Sequence, residues 1–258
     1  MSDRRRFTLL GIPIDVVNLA GAVERIAALL ADGGTHQVVT VNPEFLVAAR
    51  NRPAFATVLR GAALATPDGI GVVLAARLRG VRLRSRVTGS DLLPLLARRG
   101  AAEGWRFFLL GAAPGVAEQA ATALQTVAPG LRIAGAWAGS PRPEDEPGIL
   151  ERLRAARPDI LLVAYGAPAQ DLWLARNLPR TTARIGIGVG GTFDFLAGVK
   201  PRAPRLLRRA GLEWLYRLWR EPSRAGRILA AVPVFALLVA HNYLAYCVLR
   251  ATGAGDGD

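Results

Sequence analysis

The sequence predicts an α/β fold: a Rossmann-like, mostly parallel sheet flanked by helices, followed by a C-terminal helical appendage that associates with a membrane. Three observations predict it. Short apolar, β-branched runs alternate with longer stretches of helical periodicity, as in βα units. The runs are bounded by ordinary turn chemistry such as Pro67-Asp68-Gly69 and Ala113-Pro114-Gly115. Strand signals then stop. A dense arginine segment, residues 200–227, runs directly into an apolar one, residues 228–249.

The elements follow in order. A helix is expected over residues 19–31, where apolar residues recur at helical spacing, and a strand over 37–41, QVVTV. Pro43 suits the first turn of a helix over 43–50. Helices over 70–79 and 90–99 follow two glycine-bearing turns. A strand at 105–110, WRFFLL, leads into a helix at 115–127, and a strand at 131–136 into a helix at 145–156. The run ILLVA predicts a strand at 160–164, with a helix at 169–178 and a last strand at 184–189. From Ala203 only helix is expected. Pro204 opens one helix, and Glu221-Pro222 ends it and opens the next. The chain is therefore divided near Gly198, into an α/β unit of residues 1–198 and an appendage of residues 199–258.

Composition narrows the function. The 258 residues are 51% hydrophobic, enough for a sizeable core, and the net charge of +13 comes almost wholly from arginine, Lys200 being the one lysine. Such a surplus favours phosphates, nucleic acid or acidic lipid. One cysteine, Cys247, and two histidines, His36 and His241, argue against a disulfide framework and against a zinc site. The apolar run at the N-terminus is short and broken by Pro13 and Asp15, so it does not read as a signal peptide, and the body is expected in the cytoplasm. Residues 228–249 approach the roughly 20 residues that a spanning helix takes. Pro233, His241 and Asn242 favour instead a helix lying in the interface, with arginines at the headgroups. A transmembrane helix and a buried helix in an oligomer are the alternatives, and the oligomeric state is left open.

Several segments can carry chemistry, each with a plainer alternative. Ligands of open α/β sheets bind beyond the carboxyl ends of strands. Thr40 and Asn42 stand there and can bond sugar hydroxyls or phosphate oxygens; Asn42 is equally a helix cap. Asp68, before a glycine, suits a general base, or a simple Asp-Gly turn. Arg86, ahead of Thr88-Gly89-Ser90, suits phosphate at a helix start, or a surface position. Gly111, after the strand FFLLG, belongs to a turn of nucleotide-binding geometry that lacks the full glycine fingerprint. Gln170 can meet a diphosphate or sugar, Gly190 lets a ligand approach, and Asp194 can bond a ribose or base; tight turns and helix caps explain all three as well. Arg217, Arg220, Arg224 and Arg227 share a face if one helix runs through them. That face is a solvated basic surface or a lipid-phosphate site.

Six motifs in order resemble one family closely, the WecG/TagA/CpsF glycosyltransferases. They are TVNPEF (40–45), TPDGIGV (66–72), RVTGSD (86–91), YGAPAQDLW (165–173), GVGGTFDFLAG (188–198) and the stretch from RAP to SRAGR (202–227). The resemblance implies an inverting, metal-independent enzyme without a cofactor, peripheral at the cytoplasmic face of the membrane. It would transfer an N-acetylmannosamine-type or related sugar from a UDP donor to a polyprenyl-diphosphate-linked sugar, for a surface polysaccharide or teichoic acid. It also implies Asp68 as base, Thr40 and Asn42 on the sugars, Arg86 and Gln170 at the donor and Asp194 near the nucleoside. Arg217, Arg224 and Arg227 would hold phosphate charge. The sequence departs from the family at Asp171, where glutamate is usual, and around residues 138–141, where a Gly-Tyr pair is common.

The residues agree with that chemistry. The strand ends carry no Asp-x-Asp metal motif, and arginines can stabilise a leaving diphosphate. A basic nucleic-acid-binding protein is the first alternative. Its expected interleaving of arginine with a stacking surface is missing, so no nucleic-acid partner is expected. A nicotinamide dehydrogenase on a Rossmann fold is the second, and it lacks the complete glycine fingerprint.

Overall fold

A computed structural model describes residues 4–220 and 222–251, with the side chains at 217, 222–225, 227, 228, 230 and 245–251 outside the description. The chain opens with β1 (Arg6–Leu9), β2 (Ile12–Asp15), α1 (Leu19–Ala31), β3 (His36–Val41), α2 (Pro43–Asn51), α3 (Pro53–Gly61) and β4 (Leu64–Pro67). It continues through α4 (Ile70–Leu78), α5 (Gly89–Glu103), β5 (Arg106–Gly111), α6 (Val116–Val127), β6 (Arg132–Trp137) and α7 (Glu146–Ala156). Next come β7 (Ile160–Ala164), α8 (Ala169–Asn177), β8 (Ile185–Gly188) and α9 (Thr192–Leu196). Three helices close it: α10 (Arg205–Arg209), α11 (Glu213–Arg220) and α12 (Pro222–Ala251).

Six strands form one parallel sheet in the order β4-β3-β8-β7-β5-β6, and β1 and β2 form a separate antiparallel hairpin. Side chains alternate across the sheet with period two. Val38, Leu64, Phe107, Leu109, Leu162 and Ile187 enter one core with α1, α5 and α6. On the opposite face Val39, Val41 and Ala65 join α2, α3, α4 and the hairpin, while Phe108, Leu110, Leu161 and Val163 join α7 and α8. Both faces of the sheet are covered, as an all-parallel sheet requires.

The expected parallel sheet with flanking helices is the observed architecture. The β1–β2 hairpin, α3, β4 and the short α9 were not expected from the sequence. The strand β4 is only Leu-Ala-Thr-Pro, with no β-branched run, and it forms the sheet edge, where a terminal proline costs no ladder bond. Non-local bonds hold it. The Asp15 carboxylate, 4% exposed, accepts the Ala65 N–H at 2.8 Å while ion-pairing with Arg4 and Arg6 at 2.8 and 3.0 Å.

The single helix expected between Pro204 and Glu221 is two helices. Gly211, in the left-handed region at φ +76°, turns the chain between α10 and α11. A Cβ there would lie 2.8 Å from Ile70 Cβ, so only glycine allows the turn to seat on α4. The helix α12 lays one face on α2 and α4, burying Ala231 and Phe235, and leaves Leu229, Leu237 and Leu244 exposed. The buried face of this helix is therefore against its own chain. Among the described residues no helix is long and apolar enough to cross a membrane.

Candidate active site

The sheet order brings four strand ends into a row: β4, β3, β8 and β7. Thr40 and Thr66 are register partners on β3 and β4, and the Asp68 N–H extends that pairing by donating to Val41 O at 2.8 Å. Asp68 thus stands beside Asn42, half-buried at the carboxyl edge of the sheet. Gly69 follows at φ +90°, a conformation that lets α4 start immediately after the carboxylate.

Asn42 serves its helix. Its Oδ1 accepts the Phe45 N–H at 3.0 Å, capping α2. The amide nitrogen of the same side chain makes no hydrogen bond among the described residues. Thr40 is 6% exposed and lies almost wholly within the sheet at the end of β3.

Gln170 and Gly190 form one unit. Gln170, 2% exposed, accepts the Gly190 N–H through Oε1 at 2.9 Å, tying the loop after β8 to α8. Gly190 is left-handed at φ +53°, and a Cβ there would meet nothing within 4 Å, so the space above it is open to a ligand. Gly111 differs. A Cβ there would lie 2.8 Å from the Ala164 backbone, so its missing side chain serves the close approach of β5 to β7.

Asp171 lies beneath the same loop. Burial pushes its carboxyl up to about 7, against a smaller opposing pull from the adjacent Gln170 amide. Neither carboxylate oxygen meets hydrogen-bond geometry with a described partner. A Cβ on Gly188 would come within 2.6 Å of both this carboxylate and the Gln170 amide nitrogen, so β8 must carry glycine there. Tyr165, on the β7 loop, directs its hydroxyl toward Gly139, where a Cβ would lie 2.7 Å away. Burial raises that phenol above its usual range. A tyrosine ring is thus present next to residues 138–141 even though that segment has none.

The charged residues are cross-linked to the appendage. Arg86 Nη2 lies 3.4 Å from Glu213 Oε2, with both side chains largely buried. Arg202 reaches the same Glu213 at 3.6 Å and donates to Asp91 Oδ1 at 2.7 Å. Burial works to raise the Asp91 carboxyl, but Arg202, Thr88 and Arg86 outweigh it and hold it below the usual carboxylate range. Asp194 is paired with Lys200 at 3.0 Å. Sequence reading missed Glu213, Arg202 and Asp91 as site elements. The available signal was that Glu213 is the single acidic residue among residues 199–220.

The appendage also touches the turn that carries Asp68. Gly211 seats on Ile70, and Phe235 of α12 lies against Gly71, where a Cβ would be 3.1 Å from the ring and 3.0 Å from Pro43. Arg217, Arg224 and Arg227 fall within α11 and α12, but their side chains lie outside the described residues.

The chemistry available at this edge is a carboxylate beside hydroxyl and amide groups, a glycine loop open to a ligand, and arginines supplied by α10 and its flanks. The sequence model of the glycosyl transferase WecG/TagA/CpsF family matches residues 7–246. Two similar proteins carry the name N-acetylglucosaminyldiphosphoundecaprenol N-acetyl-beta-D-mannosaminyltransferase. One, from Bacillus spizizenii, is 33% identical over 80% of this chain and 79% of its own. Another, from Staphylococcus aureus, is 31% identical over 93% of this chain and 94% of its own. These matches set aside the nucleic-acid-binding and dehydrogenase readings: the chain is a glycosyltransferase and belongs to the WecG/TagA/CpsF family.

Proposed function

We propose that this enzyme transfers N-acetylmannosamine, or a related sugar, from a UDP donor to a polyprenyl-diphosphate-linked N-acetylglucosamine, with inversion and without a metal. The acceptor and sugar follow the names of the similar proteins. One observation carries the catalytic part: Asp68 directly follows β4, beside Thr40 of β3 and the Asn42 that follows β3, and the Gln170–Gly190 unit bridges the neighbouring β7 and β8 ends. In this reading Asp68 takes the proton from the acceptor hydroxyl as its oxygen attacks the anomeric carbon. The bond from that carbon to the UDP oxygen breaks, and the electron pair leaves with UDP. Thr40 and Asn42 orient the sugars, Arg86 and Gln170 meet the donor diphosphate, and Asp194 meets the nucleoside. Arginines in place of a cation stabilise the departing charge, with Arg217, Arg224 and Arg227 among them.

The catalytic unit is assigned to residues 1–198 and the membrane-associating unit to 199–258. The exposed apolar face of α12 and the basic surplus support peripheral attachment at the cytoplasmic leaflet of the membrane. The product would feed a surface polysaccharide or teichoic acid. The test is incubation of the full chain with UDP-N-acetylmannosamine and a short-chain polyprenyl-diphosphate N-acetylglucosamine, with and without chelator, followed by mass spectrometry. Asp68→Asn is expected to slow transfer by about 10²–10⁴-fold while leaving donor binding in place. Full activity of that variant overturns the base assignment, and loss of transfer on chelation overturns the metal-free mechanism.

A further inference from the structure

A cavity of about 550 Å³ lies between α4, the 84–86 segment and α10. Six arginines line it, Arg77, Arg84, Arg86, Arg205, Arg208 and Arg209, against one carboxylate, Asp91. Arg86 is paired with Glu213, and Arg208 donates to Ala203 O while lying 3.8 Å from Asp91. The guanidinium groups of Arg77, Arg84, Arg205 and Arg209 make no hydrogen bond or ion pair among the described residues. Four cations without a partner among the described residues repel each other around one cavity, and a multiply charged anion relieves that repulsion. Arginine forks also suit phosphate oxygens.

The remaining lining is mainly aliphatic. Leu19, Ile70 and Val73 form most of it, with Ser85 and Gly211, and no aromatic ring or side-chain amide is among the lining residues. This wall suits a hydrocarbon and offers nothing specific to a nucleobase. Exposed leucines lie on the same helices: Leu74 and Leu78 on α4 are each 50% exposed, and Leu206 on α10 is 80% exposed. Each is the chain neighbour of a lining residue.

The cavity is joined to the catalytic edge. Ile70 is two residues beyond Asp68, and the Val87 N–H, next to Arg86, donates to Pro67 O at 2.7 Å. We infer that this cavity holds the diphosphate of a lipid-linked substrate, with the first isoprenoid carbons on Leu19, Ile70 and Val73 and the attached sugar directed to Asp68. The inference rests on the acceptor class proposed above. It differs from a general anionic-surface patch in requiring both the diphosphate and the chain.

The test measures binding to the full chain of three probes: farnesyl diphosphate, inorganic diphosphate and UDP. Wild type is compared with R84Q/R205Q/R209Q, whose changed residues are all exposed. The Kd for farnesyl diphosphate is expected to rise about 100-fold or more in the variant, since each charge-assisted contact carries about tenfold or more. Farnesyl diphosphate should bind the wild type at least about tenfold more tightly than inorganic diphosphate, through its apolar contacts. UDP affinity should stay within about twofold, which also reports that the variant is folded. Unchanged farnesyl diphosphate binding in the variant overturns the assignment. Equal binding of inorganic diphosphate removes the hydrocarbon wall from it. A matching loss of UDP affinity in a variant with a wild-type circular-dichroism spectrum and melting curve overturns the assignment and makes the cavity the donor's diphosphate site. Affinity seen only with phosphatidylglycerol vesicles makes it a bulk-lipid surface. If wild type transfers sugar but binding fails these criteria, the cavity assignment falls and the function stands. If binding behaves as expected and no sugar is transferred, the function falls and the cavity stands.

Discussion

Gly211→Ala isolates the contact between the appendage and the catalytic turn. The backbone at Gly211 has φ +76°, which costs an L-residue about 1–2 kcal/mol. The added methyl would also lie 2.8 Å from both Cβ and Cγ1 of Ile70, and overpacking of that kind costs about 1–3 kcal/mol. The two together come to about 2–5 kcal/mol. Ile70 is anchored by α4, so relief comes from lifting the α10–α11 turn away from Asp68 and away from the Arg86–Glu213 pair. If the closed arrangement is needed in the transition state, kcat/KM on a lipid-linked acceptor falls by about 30-fold or more. Gly33 is the control: its φ is +82° and a Cβ there meets nothing within 4 Å, so Gly33→Ala carries the backbone cost alone. The assay is transfer kinetics in parallel with the fluorescence of Trp214 and Trp219, the exposed tryptophans of α11. Gly211→Ala should change both readouts and Gly33→Ala neither. Wild-type kinetics in Gly211→Ala, or an equal loss in Gly33→Ala, would refute the idea that the seated turn completes the site.

Two further expectations concern stability. Asp15→Ala removes a buried carboxylate that binds Arg4, Arg6 and the Ala65 N–H, so urea unfolding should show a loss of about 3–5 kcal/mol; a loss below about 1 kcal/mol would mean β4 is held by other contacts. Asp171 has a folded pKa raised to about 7 from an ordinary value of 3.8, so the folded state binds more protons than the unfolded chain between those limits. Stability contributed by the protonated form is therefore lost as pH rises from about 4 to about 7. Asp171→Asn should flatten that part of the melting profile and gain on the wild type toward pH 8; parallel profiles for the two proteins would show that the carboxyl does not titrate there.

Much of this protein is readable from local pattern. Runs such as ILLVA and QVVTV announce strands because burial on both sheet faces demands continuous β-branched or aliphatic residues. The helices between them follow from 3.6-residue periodicity and from caps such as Asn42. Thr40, Asn42, Asp68, Arg86, Gln170 and Asp194 could be named as candidates because each stands within a turn-bearing motif after a strand or before a helix. The strand β4 was not readable, because it is short and proline-ended and is held by an aspartate fifty positions away in sequence. Nor was the break at Gly211, because its reason is Ile70, a contact across the fold.

Family and fold class were thus carried by the order of residues along the chain, since strand periodicity, helix caps and motif spacing are local properties. Tertiary structure alone decided which strand ends became neighbours, because the order β4-β3-β8-β7-β5-β6 depends on contacts between distant segments. It seated the basic appendage on the Asp68 turn through Gly211 and Phe235, and it joined Arg86 to Glu213. It also gathered arginines from α4, the 84–86 segment and α10 around one cavity. Charge along a sequence is only a sum; charge around a cavity acts as a field, and a field can select a ligand.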